Sequence, residues 1–280
     1  MRTDERISTF ERDGLVFDVV DAGPLDGEVV VLLHGFPERA TCWREVAPIL
    51  HEAGYRTLAP DQRGYSRGAR PRRRRDYRVT ELVGDVIALL DRIDGSSRVH
   101  LVGHDYGAAV AWSTAILHPE RLRTLTAVSV AHPGAFLKSW VRSSQLVKSW
   151  YMAFFQLPWV PERVIGVASG SPLLRGFGMS DEAVERFRTE MVEDGALRGG
   201  LHWYRAMPFL DPRLPRQHVS TPTTLVWSTE DAALGRWAPE HCDEWVDGPF
   251  ELVVLENVSH WVPTEAPEAL AEAILERVVG

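Results

Sequence analysis

The chain has 280 residues, 45% hydrophobic and 25% charged, a composition that supports one large packed core and excludes a low-complexity or disordered polymer. Its net charge of −8, from 31 basic and 39 acidic side chains, disfavours nucleic acid and other polyanions as partners. The N-terminal MRTDERISTF has no apolar stretch of the export-signal kind, no apolar run reaches the roughly 18 to 20 residues of a membrane span, and Cys42 and Cys242 read as free thiols, so a cytoplasmic protein is expected.

In chain order, β-rich runs are predicted over 7–11 and 15–21 around the turn Arg12-Asp13-Gly14, followed by a buried-type strand over 29–33. A helix over 40–53, a strand over 56–59, a helix over 80–93, a strand over 99–102, a helix over 107–117 and a strand over 122–130 continue the pattern. The alternation stops between about 133 and 217, where Trp, Phe, Pro and helical stretches such as 181–193 replace strands. It resumes with a strand over 223–228, a helix over 238–246, a strand over 251–255 and a helix over 265–279. The expectation is an α/β protein with a mostly parallel sheet and helices on both faces. Residues 1–132 and 218–280 would form the core, and 133–217 a helical insertion acting as a lid.

Between Arg63 and Arg78 lie eight arginines, including the run Arg72 to Arg75. In an acidic chain this reads as a solvated loop before a helix, not as a phosphate-binding patch.

Strand, turn and helix follow one another through Leu101-Val102-Gly103-His104-Asp105-Tyr106-Gly107-Ala108. This is the shape of a nucleophile elbow with Asp at its centre in place of Ser. Taken alone, Asp105 before a helix reads more readily as an N-cap. The rest of the chain favours the nucleophile. His34-Gly35-Phe36-Pro37-Glu38 follows a strand where one backbone N–H of an oxyanion hole belongs, so Phe36 and Tyr106 are the expected donors and Phe36-Pro37 is a candidate cis bond. Thr229-Glu230-Asp231 and Ser259-His260-Trp261 each follow a later strand, giving acid and histidine in the required order. Neighbouring residues of an extended segment point opposite ways, and Asp231 is preferred to Glu230 as the partner of His260. His100, His104 and His132 lack carboxylate or cysteine companions at ligand spacing and read as structural, so no metal is expected.

A carboxylate attacking an acyl carbon would give an uphill mixed anhydride, whereas attack on a saturated carbon gives a simple ester that His260-activated water can cleave. The substrate is then an epoxide or a halide. Tyr151 and Tyr204, both in aromatic contexts within the insertion, could hand a proton to an opening epoxide, although by themselves they read as core aromatics.

These residues resemble the epoxide hydrolase branch of the α/β-hydrolase superfamily: HGFPE at 34–38, DQRGYS at 61–66, GHDYGAAVAW at 103–112, HPERL at 118–122, SHW at 259–261, and the Y-x-x-x-F-Q and WYR patterns at 151–156 and 203–205. The resemblance implies the α/β-hydrolase fold with an eight-stranded sheet, Asp105, His260 and Asp231 as catalytic residues, and Tyr151 and Tyr204 holding the epoxide oxygen. His34, Pro37, Trp150, Phe155, Trp203 and Trp261 would line the substrate site. The implied partners are a small-molecule epoxide and water, without cofactor, nucleic acid or membrane span, and self-association as a homodimer is compatible with it. Two departures stand out: Tyr106 replaces the family's usual Trp after the nucleophile, and Ser66-Arg67 replaces a small residue after RGY. Haloalkane or haloacid dehalogenation with the same Asp is the nearest alternative, but Phe36 and Tyr106 offer no halide-binding side-chain donors. A non-catalytic small-molecule binder on this fold is the alternative from outside enzymology.

Overall fold

The structure, a computed structural model, describes residues 5–93, 98–166 and 170–280. The first four residues of the N-terminal segment read above lie outside them. Strands β1 (Thr9–Arg12), β2 (Leu15–Ala22) and β3 (Val29–Leu33) lead into helix α1 (Val46–Glu52) and strand β4 (Arg56–Pro60). Helix α2 (Val79–Ile93), β5 (Val99–His104), α3 (Tyr106–Leu117) and β6 (Leu122–Val128) follow. Among the described residues, seven α-helices occupy the stretch before the next strand: α4 (Pro133–Arg142), α5 (Gln145–Lys148), α6 (Trp150–Phe155), α7 (Val160–Gly166), α8 (Gly170–Gly176), α9 (Asp181–Phe187) and α10 (Leu197–Ala206). Then come β7 (Thr223–Ser228), α11 (Trp237–Glu240), β8 (Phe250–Leu255), α12 (Val262–Glu265) and α13 (Pro267–Val279).

The eight strands form one sheet in the order β1-β2-β4-β3-β5-β6-β7-β8. β1 and β2 pair antiparallel, as do β2 and β4, and every other neighbouring pair is parallel. The expected α/β-hydrolase fold and mostly parallel sheet are therefore present. Strands β3, β4, β5, β6 and β7 are buried along nearly their whole length because helices cover both faces. One buried cluster packs around Trp112, Leu33 and Leu101, and a second around Trp43, Leu50 and Ile274.

Three expected helices are interrupted. The stretch 40–53 begins with a 3₁₀ turn over Ala40–Trp43 before α1, and 238–246 divides into α11 and a 3₁₀ turn over Cys242–Trp245. At 265–279 the cause is Pro267, whose ring pushes the preceding Ala266 out of the helical region (φ −137°, ψ 54°), so α12 ends and α13 begins there. The helix expected over 181–193 is α-helical only to Phe187 and continues as a π-helical turn over Arg188–Glu193. Strand β6 stops at Val128, and Ser129 turns the chain with φ 70°.

The topology sets the site. From β3 the chain moves outward to β4, then returns to place β5 on β3's other side, so the carboxyl ends of β3 and β5 lie side by side where the winding reverses. Loops leaving these two ends form the crevice that open parallel sheets use for ligands.

Candidate active site

Asp105 stands between β5 and α3 with φ 52° and ψ −122°, a conformation that L-residues adopt only under tight local constraint. The turn can close because Gly107 lies against the carbonyls of Leu33 and His34, where a Cβ would collide with backbone. Gly35 has the same function opposite, since a Cβ there would strike the Asp105 side chain. The Asp105 carboxylate makes no capping bond to α3. Instead the Phe36 N–H donates to its Oδ1 at 2.8 Å, and the Tyr106 N–H also supports the charged form. Phe36, one of the two expected oxyanion donors, thus bonds the carboxylate, and the side chain does not cap α3. The Phe36-Pro37 bond is cis.

His260 lies between two acids. Its Nδ1 donates to Asp231 Oδ2 at 2.7 Å, and its Nε2 is 3.5 Å from Asp105 Oδ2. Asp231 is fixed in turn because its Oδ1 accepts from the N–H groups of Ala233 and Leu234, each at 2.8 Å. Glu230, the alternative acid, is exposed to solvent. Burial alone would strip His260 of its proton, but the two carboxylates outweigh it and hold the imidazole pKa well above its ordinary value. Burial likewise works against the Asp105 anion, and the bond from His260 overrides it, leaving that pKa below normal. The geometry therefore favours a proton on His260 and a charge on Asp105, held face to face.

Two cavities meet at Asp105. The smaller, about 500 Å³, is lined by Phe36, Pro37, Phe155, Phe177, His260 and Trp261, among others. The larger, about 900 Å³, is bounded by Tyr106, Val130, Phe136, Met152, Met207 and Leu210, among others. Asp105, Tyr151 and Tyr204 line both, so the two tyrosines stand at the junction with their rings 6.1 Å apart. Burial, with the Asp105 charge adding to it, pushes both phenols well above their ordinary pKa, so they keep their protons. Gln156 Nε2 donates to the Tyr204 carbonyl at 2.7 Å, tying the two tyrosine-bearing helices together.

Of the residues expected to line the substrate site, Pro37, Phe155 and Trp261 line the smaller cavity. Trp150 does not: its side of α6 faces solvent and it is 52% exposed, because Tyr151 and Phe155 occupy the inward face. His34 and Trp203 are fully buried behind the site and touch neither cavity lining. His34 Nδ1 donates to the Gly35 carbonyl and its Nε2 accepts from the Gln62 N–H, so this neutral ring, its pKa lowered to about 4 by burial, braces the Phe36 loop. Trp203 packs on Tyr65 and Tyr106, while the Tyr106 hydroxyl donates to the Trp203 carbonyl at 2.9 Å. The unusual Tyr after Asp105 therefore pins the helix that carries Tyr204.

One buried group was not anticipated. Glu38 is 7% exposed, and burial raises its pKa to about 7. Its Oε2 lies 3.9 Å from His104 Nδ1, and neither atom has a hydrogen-bond partner. His104 Nε2 contacts the His260 carbonyl at 2.9 Å, so this pair adjoins the backbone of His260. The HGFPE motif contains Glu38, but nothing in its local pattern marks it as buried.

A model described as the alpha/beta hydrolase family matches residues 30–273. The chain is 34% identical over 272 residues to the AB hydrolase superfamily protein YfhM of Bacillus subtilis, covering 94% of each. It is 33% identical over 277 residues to Epoxide hydrolase 4 of Homo sapiens, covering 93% of this chain and 75% of that one. It is 29% identical over 314 residues to Epoxide hydrolase A of Mycobacterium tuberculosis, covering 96% of each. The crystal structure of Epoxide Hydrolase A from Mycobacterium thermoresistibile superposes with a TM-score of 0.86 at 28% identity, over 97% of both chains.

Proposed function

The chain belongs to the epoxide hydrolase branch of the α/β-hydrolase superfamily, and on that basis we propose that it converts an epoxide and water to a vicinal diol through an ester on Asp105. The observation that carries the reading is the Asp105 carboxylate at the junction of two apolar cavities, bonded to the Phe36 N–H and facing His260, with two protonated phenols on the same walls. The insertion over 133–217 serves as the lid, supplying both phenols and excluding water from the junction.

An Asp105 oxygen forms a bond to one ring carbon as the carbon–oxygen bond breaks, and the departing electron pair takes a proton from Tyr151 or Tyr204. General acid help of this kind is worth about 10²- to 10⁴-fold in rate. Esterification removes the Asp105 charge, one of the two anions that hold the His260 proton. That proton then makes good the one lost by the phenol, and a neutral imidazole remains. His260, oriented by Asp231, takes a proton from water, and the hydroxide adds to the Asp105 carbonyl. The Phe36 and Tyr106 N–H groups stabilise the oxyanion, a contribution of about 3 kcal/mol per donor. Collapse releases the diol and restores carboxylate and imidazolium, so one diol oxygen originates in Asp105.

A single turnover in heavy-oxygen water tests the covalent step. The first diol released should be unlabelled at the hydrolysed carbon, with label appearing only in later turnovers. Label in the first product would replace the ester route with direct attack by water. The halide alternative is disfavoured because Phe36 and Tyr106 present no side-chain donor to a halide, whereas the phenols suit an alkoxide.

A further inference from the structure

Among the described residues, fifteen large hydrophobic side chains are exposed, and nine of them fall between residues 137 and 164. Val141, Val147 and Trp159 are 81%, 75% and 75% exposed, with Trp150, Leu157 and Val160 beside them in the chain. Leu137 and Val141, one helical turn apart, place the outer end of α4 on the same face. A soluble surface normally scatters such residues singly, and a run this dense marks a contact surface. Trp159 adds a second sign: it sits at φ 59°, a costly conformation for a bulky residue, and yet the fold directs it into solvent.

Charge identifies what the face meets. Residues 133–161 contain three basic and no acidic side chains, in a chain whose net charge is −8. Arg142 and, just beyond the run, Arg163 are exposed. The neighbouring acids are neutralised, Glu162 by Arg205 and Glu244 by Lys138. Exposed tryptophan, aliphatic side chains and peripheral arginines on short helices match the needs of a bilayer interface with anionic headgroups. A second copy of the chain fits poorly, because a two-fold contact would gather Arg142 and Arg163 of both copies in one interface to which residues 133–161 bring no acidic side chain.

We propose that this face, formed by α4 to α7, docks reversibly on an anionic phospholipid surface. Leu137 belongs both to the exposed face and to the wall of the larger cavity, so docking sets that cavity against the lipid phase from which an apolar molecule would enter. The docking itself does not depend on the reaction proposed above.

Sedimentation of the full chain with vesicles tests this, using pure phosphatidylcholine in one series and phosphatidylcholine mixed equally with phosphatidylglycerol in the other. The chain should pellet with the anionic vesicles, less with the neutral ones, and be released by salt. Arg142→Gln with Arg163→Gln should weaken binding roughly tenfold or more. Trp159→Gly, which relieves the backbone conformation, and Val147→Asp should each weaken it at unchanged circular dichroism and unchanged turnover of a soluble substrate. Failure to pellet with either lipid, or equal pelleting of wild type and variants, would overturn the proposal. Concentration-dependent dimerisation abolished by Trp159→Gly, without lipid binding, would assign the face to a second copy instead.

Discussion

At the scale of single residues, the site is organised by opposing charges that burial makes costly and hydrogen bonds make tolerable. Asp105 keeps its charge because the imidazole and a backbone N–H meet it, and His260 keeps its proton because it stands between two carboxylates. Replacing His260 by Gln should leave ester formation intact and block its hydrolysis, so incubation with an epoxide should yield protein heavier by the mass of that epoxide. An unmodified mass would remove the ester from the scheme. Glu38 gives a pH signature. Its pKa rises from the ordinary 4.5 to about 7 on folding, so the folded state binds the proton more tightly and this group's contribution to stability falls as pH rises across that window. Glu38→Gln should lose that component, and thermal midpoints at about pH 5 and about pH 8 should show the variant gaining on wild type at the higher pH. At this scale Asp105, Asp231 and His260 were legible because each follows a strand in a fixed order. Glu38 and the inward brace made by His34 were not, since burial of a polar side chain depends on what packs over it from distant parts of the chain.

The elements convert that order into geometry. The crossing of α3 beneath β3 and β5 depends on Gly107, whose position against the carbonyls of Leu33 and His34 leaves no room for a methyl group. Gly107→Ala should cost about 3 kcal/mol or more of stability, because backbone and not a flexible side chain would have to move; a denaturant midpoint close to wild type would contradict this. Strands were easier to read than helices. Val29–Leu33 and Thr223–Ser228 are β-rich runs buried along nearly their whole length, and their observed limits match the expected ones. Helical periodicity does not register a single misplaced residue, so the break at Ala266 and the shift to π-helical winding after Phe187 went unseen. Trp150 shows the same limitation: an aromatic stretch on a six-residue helix gives no reliable phase, and Tyr151 and Phe155 turned out to own the inner face.

In the whole molecule, the helical stretch over 133–217 and the sheet are joined by charge as well as by apolar packing. Asp194 accepts from Arg39, Arg67 and Arg70, which arise from the loops after β3 and β4. The arginine-rich loop is therefore divided in its roles. Arg63 is buried on Asp85, Arg70 grips Asp194, and Arg74 and Arg75 lie over Phe209, while Arg72 and Arg73 remain in solvent as expected. Asp194→Ala would leave three guanidiniums facing one another with one anion fewer, and scanning calorimetry should record a midpoint several degrees below wild type; an unchanged midpoint would mean the cluster adds nothing to the joint. No local pattern could have revealed this partnership, because Asp194 is separated from those arginines by more than a hundred residues. The unequal chambers that meet at Asp105 have a consequence of their own. A substrate whose two substituents differ in bulk can settle only one way round, so mirror-image forms would offer opposite ring carbons to the carboxylate, and the site acquires handedness from volume alone.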